Sequence, residues 1–139
     1  TINDRASGML RMKKVDSKEA VVVTAAINGI LEDWIPYIRT ITADNGKEFA
    51  GHEHVAEQLN IDYYFAHPYH SWERGSNENL NGLVRQYFPK GSDFTKITQQ
   101  QIEEVELKLN SRPRKRFEYE NPTFVMNQLL FNHDVAFIT

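Results

Sequence analysis

Cysteine is absent from all 139 residues. That excludes a disulfide framework and every thiolate-ligated metal site. Long apolar runs are also lacking. The longest, around Ala20 to Ile27, is broken by Thr24 and is too short to cross a bilayer, so no membrane partner is expected. No secretory signal pattern is visible. Nor is there an excess of basic charge, and the net charge of −3 argues against a uniformly basic nucleic-acid binder. Internal repeats, low-complexity tracts and an interdomain linker are missing too. The sequence does not begin with methionine and reads as a fragment of a longer chain.

What is present fits one domain, residues 1–139, large enough for a real core. Charge is unevenly placed. Arg112, Arg114, Lys115 and Arg116 fall within five positions, while Glu103, Glu104 and Glu106 lie just upstream. A local basic patch can matter more than the total.

Periodicity gives the elements in order. Thr1 to Asp4 reads as the tail of a strand, Arg5 to Gly8 as a turn and Met9 to Val15 as a second strand. Asp16 with Glu19 is a helix-start signal, followed by Val23, Ile27, Ile30, Leu31 and Trp34 at helical spacing. Ile38 to Ala43 is short, β-branched and apolar, and reads as a buried strand. Phe49 to Leu59 is predicted helical with Asn60 as its stop, and Ile61 to Phe65 is a further strand. Leu80, Leu83, Val84, Tyr87 and Phe88 form one helical stripe, ended by Pro89 and Gly91. Thr98 with Gln101 is a capping box, opening a helix that buries Ile102, Val105 and Leu109. Asn121-Pro122 starts a last helix, carried by Phe124, Val125, Leu129 and Leu130. The order is strand, strand, helix, strand, helix, strand, helix, helix, helix. That is a mixed α/β fold, with early strands antiparallel and later ones joined by helical crossovers.

Two carboxylates stand out. Asp44, in Thr42-Ala43-Asp44-Asn45-Gly46-Lys47-Glu48-Phe49, follows a strand just where Asn45-Gly46 turns the backbone. Rims of sheets are where α/β folds place ligand sites. Glu78 lies two residues before Leu80, hence on the helix face opposite the apolar stripe. Carboxylates from two rigid elements suit a hard divalent cation such as magnesium or manganese. Paired ions of that kind can hold the attacking and leaving oxygens of a phosphoryl displacement. Lys47, Arg74 and Arg85 are the cationic side chains available to hold a polyanion. An ordinary reading stands beside this one: Asp before Asn-Gly is commonly a turn residue, and a lone Glu on a polar helix face is commonly solvated.

At these residues the sequence resembles the catalytic core of DDE transposases and retroviral integrases. The stretch Thr42 to Phe49 matches the family's second-aspartate motif. Pro68-Tyr69 followed by Arg74-Gly75-Ser76-Asn77-Glu78-Asn79 matches the loop leading into the third acidic residue. The stretches from Asn77 to Gly91 and from Asn110 to Lys115 are more specific, and resemble bacterial transposases of the insertion-sequence-30 family. The 33 residues between Asp44 and Glu78 equal that family's spacing. The likeness covers nearly the whole chain. It implies an RNase H-like fold, a divalent metal, cutting and joining of transposon-end DNA, a homodimer or higher oligomer, and a cytoplasmic, nucleoid-associated location. One departure concerns the first aspartate. Only one strand fits between Asp4 and the first helix, so Asp4 resembles a second-strand position. The first acidic ligand is expected upstream of Thr1, and these residues alone are expected to fold without catalysing. The amino-terminal helix-turn-helix reader expected of the family is also absent.

Other residues carry two readings each. His52, His54, His67 and His70 lack a clean zinc-ligand pattern and read first as surface or loop residues, although His67 lies in the loop before Glu78. Tyr69 and Trp72 suit stacking on an unpaired base or packing of their own loop. Asn45, Gly46 and Asn81 suit supporting roles at the site or ordinary turn and helix-surface roles. The run Arg112, Arg114, Lys115 and Arg116 suits backbone phosphates or a solvated turn. Two further functions compete with a transposase core: an RNase H-like nuclease without strand transfer, and a non-catalytic DNA-binding or assembly module.

Overall fold

Strands form here where only a few residues alternate, and helices where apolar residues recur every third or fourth position. The computed structural model describes residues 1–68, 70 and 75–138, with positions 133–138 as backbone only. Among these residues the order is β1 (Ile2–Asn3), β2 (Leu10–Arg11), α1 (Ala20–Leu31), β3 (Thr40–Ala43), α2 (His52–Leu59), β4 (Asp62–Phe65), α3 (Gly75–Val84), α4 (Gln99–Asn110) and α5 (Pro122–Ile138). This is the predicted sequence of element types. The strands pair in two separate two-stranded sheets, β1 with β2 and β3 with β4. Two compact units result, one of Thr1–Met12 with Ser76–Thr139 and the other of Lys13–Gly75.

In the first unit β1 and β2 form an antiparallel hairpin, Ile2 opposite Arg11 and Asn3 opposite Leu10. Its loop is closed by Asp4, whose carboxylate accepts from the Ser7 N–H at 2.8 Å and from the Ser7 hydroxyl. Gly8 adopts φ +71° there, and a Cβ would collide with the Arg116 guanidinium. Leu10 and Met12 then join Leu80, Ile102, Val105 and Leu109 in one core cluster. Each such side chain contributes roughly 1.5–3 kcal/mol when fully buried. The capping box of α4 is present as read: Thr98 accepts from the Gln101 N–H, and Gln101 accepts from the Thr98 N–H. Asn121 likewise caps α5, accepting from the Phe124 N–H at 2.8 Å.

One helix face also closes a strand edge. The Asn110 side chain accepts from the Leu10 N–H at 2.8 Å and donates to the Leu10 carbonyl at 2.9 Å. One turn earlier, Glu106 accepts from the Met12 N–H at 2.6 Å. Residues four apart share a helix face, so α4 supplies the partners that another strand would otherwise give to β2. Burial pushes the Glu106 carboxyl above its ordinary range, while the Met12 hydrogen bond and the Arg11 charge pull it back.

In the second unit β3 and β4 run parallel, Thr40 opposite Asp62 through Ala43 opposite Phe65, with α2 as the crossover. Asn60 stops α2 as expected, in a left-handed conformation with its N–H bonded to Ala56 and Glu57. The Gly51 backbone lies so close to Thr24 of α1 that a Cβ would overlap the hydroxyl.

Several expected boundaries shorten. The Met9 to Val15 strand is reduced to Leu10–Arg11, because the chain leaves the hairpin at Met12. Helix α1 starts at Ala20, and Glu19 rather than Asp16 precedes it without a side-chain cap. Strand β3 is covered on one face only: Ala43 is buried while Thr40 and Thr42 are exposed. Tyr87, Phe124 and Leu129, all read as helix stripe, are about two-fifths exposed instead of buried.

The Asn110 arrangement yields a direct test. Replacing it by alanine leaves two backbone groups of fully buried Leu10 without partners, at about 1–3 kcal/mol each. Asn110→Ala is expected to lower unfolding stability by roughly 2–4 kcal/mol, read from the urea midpoint. A loss below about 0.5 kcal/mol, the usual surface range, would contradict the edge-closing role.

Candidate functional site

Asp44 follows the last residue of β3 and is half-buried. Its Oδ1 accepts from the Gly46 N–H at 3.2 Å, which folds the turn back over the carboxylate. Asn45 fixes this turn to the next strand by donating to the Ala66 carbonyl at 3.0 Å. The ladder itself is prolonged one step, with the Ala66 N–H donating to the Ala43 carbonyl at 2.8 Å. Asn45 and Gly46 therefore do hold the strand end, by a cross-strand bond and an Asx turn. Exposed Lys47 opens the single 3-10 turn that follows.

A tyrosine that sequence reasoning missed belongs to this corner. Burial, and then the negative charge of Asp44, push the Tyr63 phenol up to about 12. Tyr63 lies on β4 opposite Ile41, and its ring packs with His52 and Phe65 at centroid distances of 5.7 and 5.5 Å. His52 is thus a packing residue, its Nδ1 also 3.1 Å from the Phe49 carbonyl. The only signal for Tyr63 was its place in a strand parallel to the one ending at Asp44.

Glu78 stands in the first turn of α3 and is exposed. Negative charge is favoured there by the helix dipole. Buried Leu80 faces the core while Gly82 and Arg85 are exposed and Asn81 is half-buried, as the helical spacing required. Asn3 ties β1 to this first turn, donating to the Ser76 hydroxyl at 3.1 Å and to the Asn77 side-chain oxygen at 3.4 Å. Asp4, by contrast, has its carboxylate engaged by Ser7 in the hairpin loop.

His67 and His70 stack at 5.3 Å with their rings tilted. Tyr69, Trp72 and Arg74 lie outside the described residues. Among the described residues no group of three or more His, Asp or Glu side chains is placed to hold a metal ion. The oxygens of Asp44 and Glu78 are hard donors of the kind magnesium and manganese prefer. In the basic turn, Arg112 donates to the Gln86 side chain at 2.9 Å. Arg114 donates to the Leu109 carbonyl at 2.8 Å, and Lys115 and Arg116 are exposed.

No protein-family model matches the chain. It is 52% identical over 137 residues to a transposase for insertion sequence element IS4351 of Bacteroides fragilis, covering 99% of this chain and 42% of that protein. It is 35% identical over 130 residues to the IS1086 transposase of Cupriavidus metallidurans, covering 93% and 38%. With the InsI transposase of IS30A from Escherichia coli it shares 33% identity over 129 residues, covering 92% and 34%. The chain belongs with the IS30-family transposases. It spans less than half the length of these relatives. For this family member, no helix among the described residues is long and apolar enough to cross a membrane.

The corner at Asp44 can be tested by pH. A raised phenol pKa means that the folded chain holds the Tyr63 proton more firmly than the unfolded one. Its stabilising contribution is complete below about pH 10, the ordinary tyrosine value, and is lost as pH rises through about 12. Tyr63→Phe is expected to flatten this alkaline loss in thermal midpoint. Asp44→Asn is expected to bring Tyr63 ionisation to lower pH, read by ultraviolet difference titration against Tyr63→Phe. Identical Tyr63 titration with and without the Asp44 charge would remove Asp44 from this corner.

Proposed function

We propose that this chain is the catalytic core of a transposase that cuts transposon-end DNA and joins it to target DNA by metal-dependent phosphoryl transfer. The observation that carries this reading is the pairing of family membership with two acidic residues on rigid supports. Asp44 ends a strand held by Asn45, and Glu78 opens a helix held by Asn3.

In this reading Asp44 and Glu78 are acidic ligands of one divalent cation, magnesium or manganese. When bound, the cation polarises the phosphoryl oxygens and offsets the charge that develops as the phosphodiester is displaced. Half-burial of Asp44 keeps its carboxylate oriented, and exposure of Glu78 leaves its oxygens open to a ligand. Lys47, Arg74 and Arg85 supply positive charge for the DNA backbone. Gly46 and Asn81 act as supports, Gly46 through its bond to Asp44. The basic turn contributes further positive charge for the DNA backbone, through Arg112, Lys115 and Arg116, with Arg114 holding the turn. The RNase H-like arrangement and a homo-oligomeric assembly on DNA ends belong to the same proposal. Support for the fold comes from the early antiparallel hairpin followed by a parallel pair with a helical crossover.

The test uses the complete transposase with a labelled transposon end and a target plasmid. Asp44→Asn and Glu78→Gln are each expected to cut strand cleavage by at least roughly 10²–10³-fold, with thermal midpoints near that of the unmodified protein. Cleavage near the normal rate in either variant would defeat the assignment. Cleavage without joining in the unmodified protein would favour the nuclease reading, and DNA binding with no metal-dependent cleavage would favour the assembly module.

A further inference from the structure

The segment between α4 and α5 is built around Arg114. One guanidinium nitrogen donates to the Leu109 carbonyl, in the last turn of α4. Its backbone is bonded across the loop as well. The Arg114 N–H donates to the Glu120 carbonyl at 3.0 Å, and the Arg114 carbonyl accepts from the Tyr119 N–H at 3.0 Å. These bonds make the chain double back within six residues. The return is accomplished by Glu118 and Tyr119, both left-handed at φ 53° and 69°.

Two consecutive left-handed residues without glycine or asparagine are unusual, and a bulky ring in that region especially so. Packing does not account for the tyrosine, since Tyr119 is 68% exposed. The backbone therefore holds an aromatic ring out into solvent. The same short segment carries the exposed side chains of Arg112, Lys115 and Arg116. Among the described residues none of these three is ion-paired with a carboxylate. Their printed partners are neutral: Arg112 donates to the Gln86 side chain at 2.9 Å, and Arg116 donates to the Arg5 carbonyl at 3.5 Å while lying over the Phe117 ring, 4.3 Å from its centroid. Burial, and then the like charges of Arg112 and Arg116, lower the Arg114 pKa, so the cluster carries positive charge that an anion would relieve. Glu118 and Glu120 share the loop, which disfavours simple, dense packing of phosphates at its far side.

We propose that this loop binds a nucleic-acid strand with unpaired bases, Tyr119 stacking on one base while Arg112, Lys115 and Arg116 contact its phosphates. The choice of an unpaired strand follows from the ring. An exposed aromatic face offers a stacking partner to any base, and inside a duplex both faces of each base are already covered. Arg114 is a positioning residue here. It fixes the loop through Leu109, Tyr119 and Glu120 instead of meeting the ligand. The inference rests on the DNA reading above but not on its chemistry.

The experiment is fluorescence anisotropy of the full chain with labelled oligothymidine and with a duplex of equal length, in chelator so that no cleavage occurs. Tyr119→Asn is the main variant, because asparagine suits the left-handed backbone and keeps the loop. It is expected to weaken oligothymidine binding about 5- to 150-fold, to leave duplex binding within about twofold, and to leave the salt slope unchanged. Tyr119→Phe is expected to restore binding. Lys115→Ala is expected to reduce the slope by about 0.7 on the single strand. Unchanged oligothymidine affinity in Tyr119→Asn, an equal loss on duplex, or no binding of oligothymidine by the unmodified chain would overturn the proposal. The Asp44 and Glu78 cleavage results stand apart from any of these outcomes.

Discussion

The first unit depends on a single polar side chain in an apolar place. Asn110 is 3% exposed and spends both ends of its amide on the backbone of Leu10. With Glu106 one turn away on Met12, it seals the outer edge of a strand only two residues long. A strand so short has little ladder of its own to hold it. Fixing its edge fixes Leu10 and Met12 in the core, and the paired strand with them. That paired strand carries Asn3, which meets Ser76 and Asn77 at the start of α3. The helix turn bearing Glu78 is thus anchored from below by Leu80 in the core and from the side by the hairpin.

A second, smaller set of bonds does the same for Asp44. The parallel pair of β3 and β4 ends there, and an unpaired strand end is ordinarily free to fray. Asn45 prevents this by crossing to Ala66. The Asx turn to Gly46 orients the carboxylate. Tyr63 belongs to the same corner, where burial and then the Asp44 charge raise its phenol pKa. Both acidic residues therefore sit on local structures whose own hydrogen bonds limit their freedom, which suits groups that must hold a charge in place.

Much of this was legible in the sequence, and for definite reasons. Thr98 with Gln101, Asn60 after Leu59, and Asn121 before Pro122 each announce a helix end through a local hydrogen bond, so neighbours in sequence suffice to read them. Ile102, Val105 and Leu109 are buried as their spacing requires. Strand lengths were less legible, since β1 and β2 end where side chains of α4 take over from a ladder. Periodicity also marks an apolar stripe without marking how far its cover extends, which is why Tyr87, Phe124 and Leu129 stay exposed. At the candidate site, Asp44, Asn45, Gly46 and Glu78 were readable from turn chemistry and helical phase. Asn3, Tyr63 and Tyr119 were not: the first acts over more than seventy positions, the second depends on strand register, and the third has a backbone conformation that no glycine or asparagine betrays.

In the proposed site Asp44 and Glu78 hold the same divalent cation. Iron-directed backbone scission tests this sharing most directly, because ferrous ion in place of magnesium generates radicals that cut the polypeptide only beside its own site. In the complete transposase bound to a transposon end, with ascorbate present, scission is expected both near Asp44 and near Glu78, and either Asp44→Asn or Glu78→Gln is expected to suppress both cuts together. Scission confined to one of the two stretches, or two cuts that the variants remove independently, would contradict a shared ion.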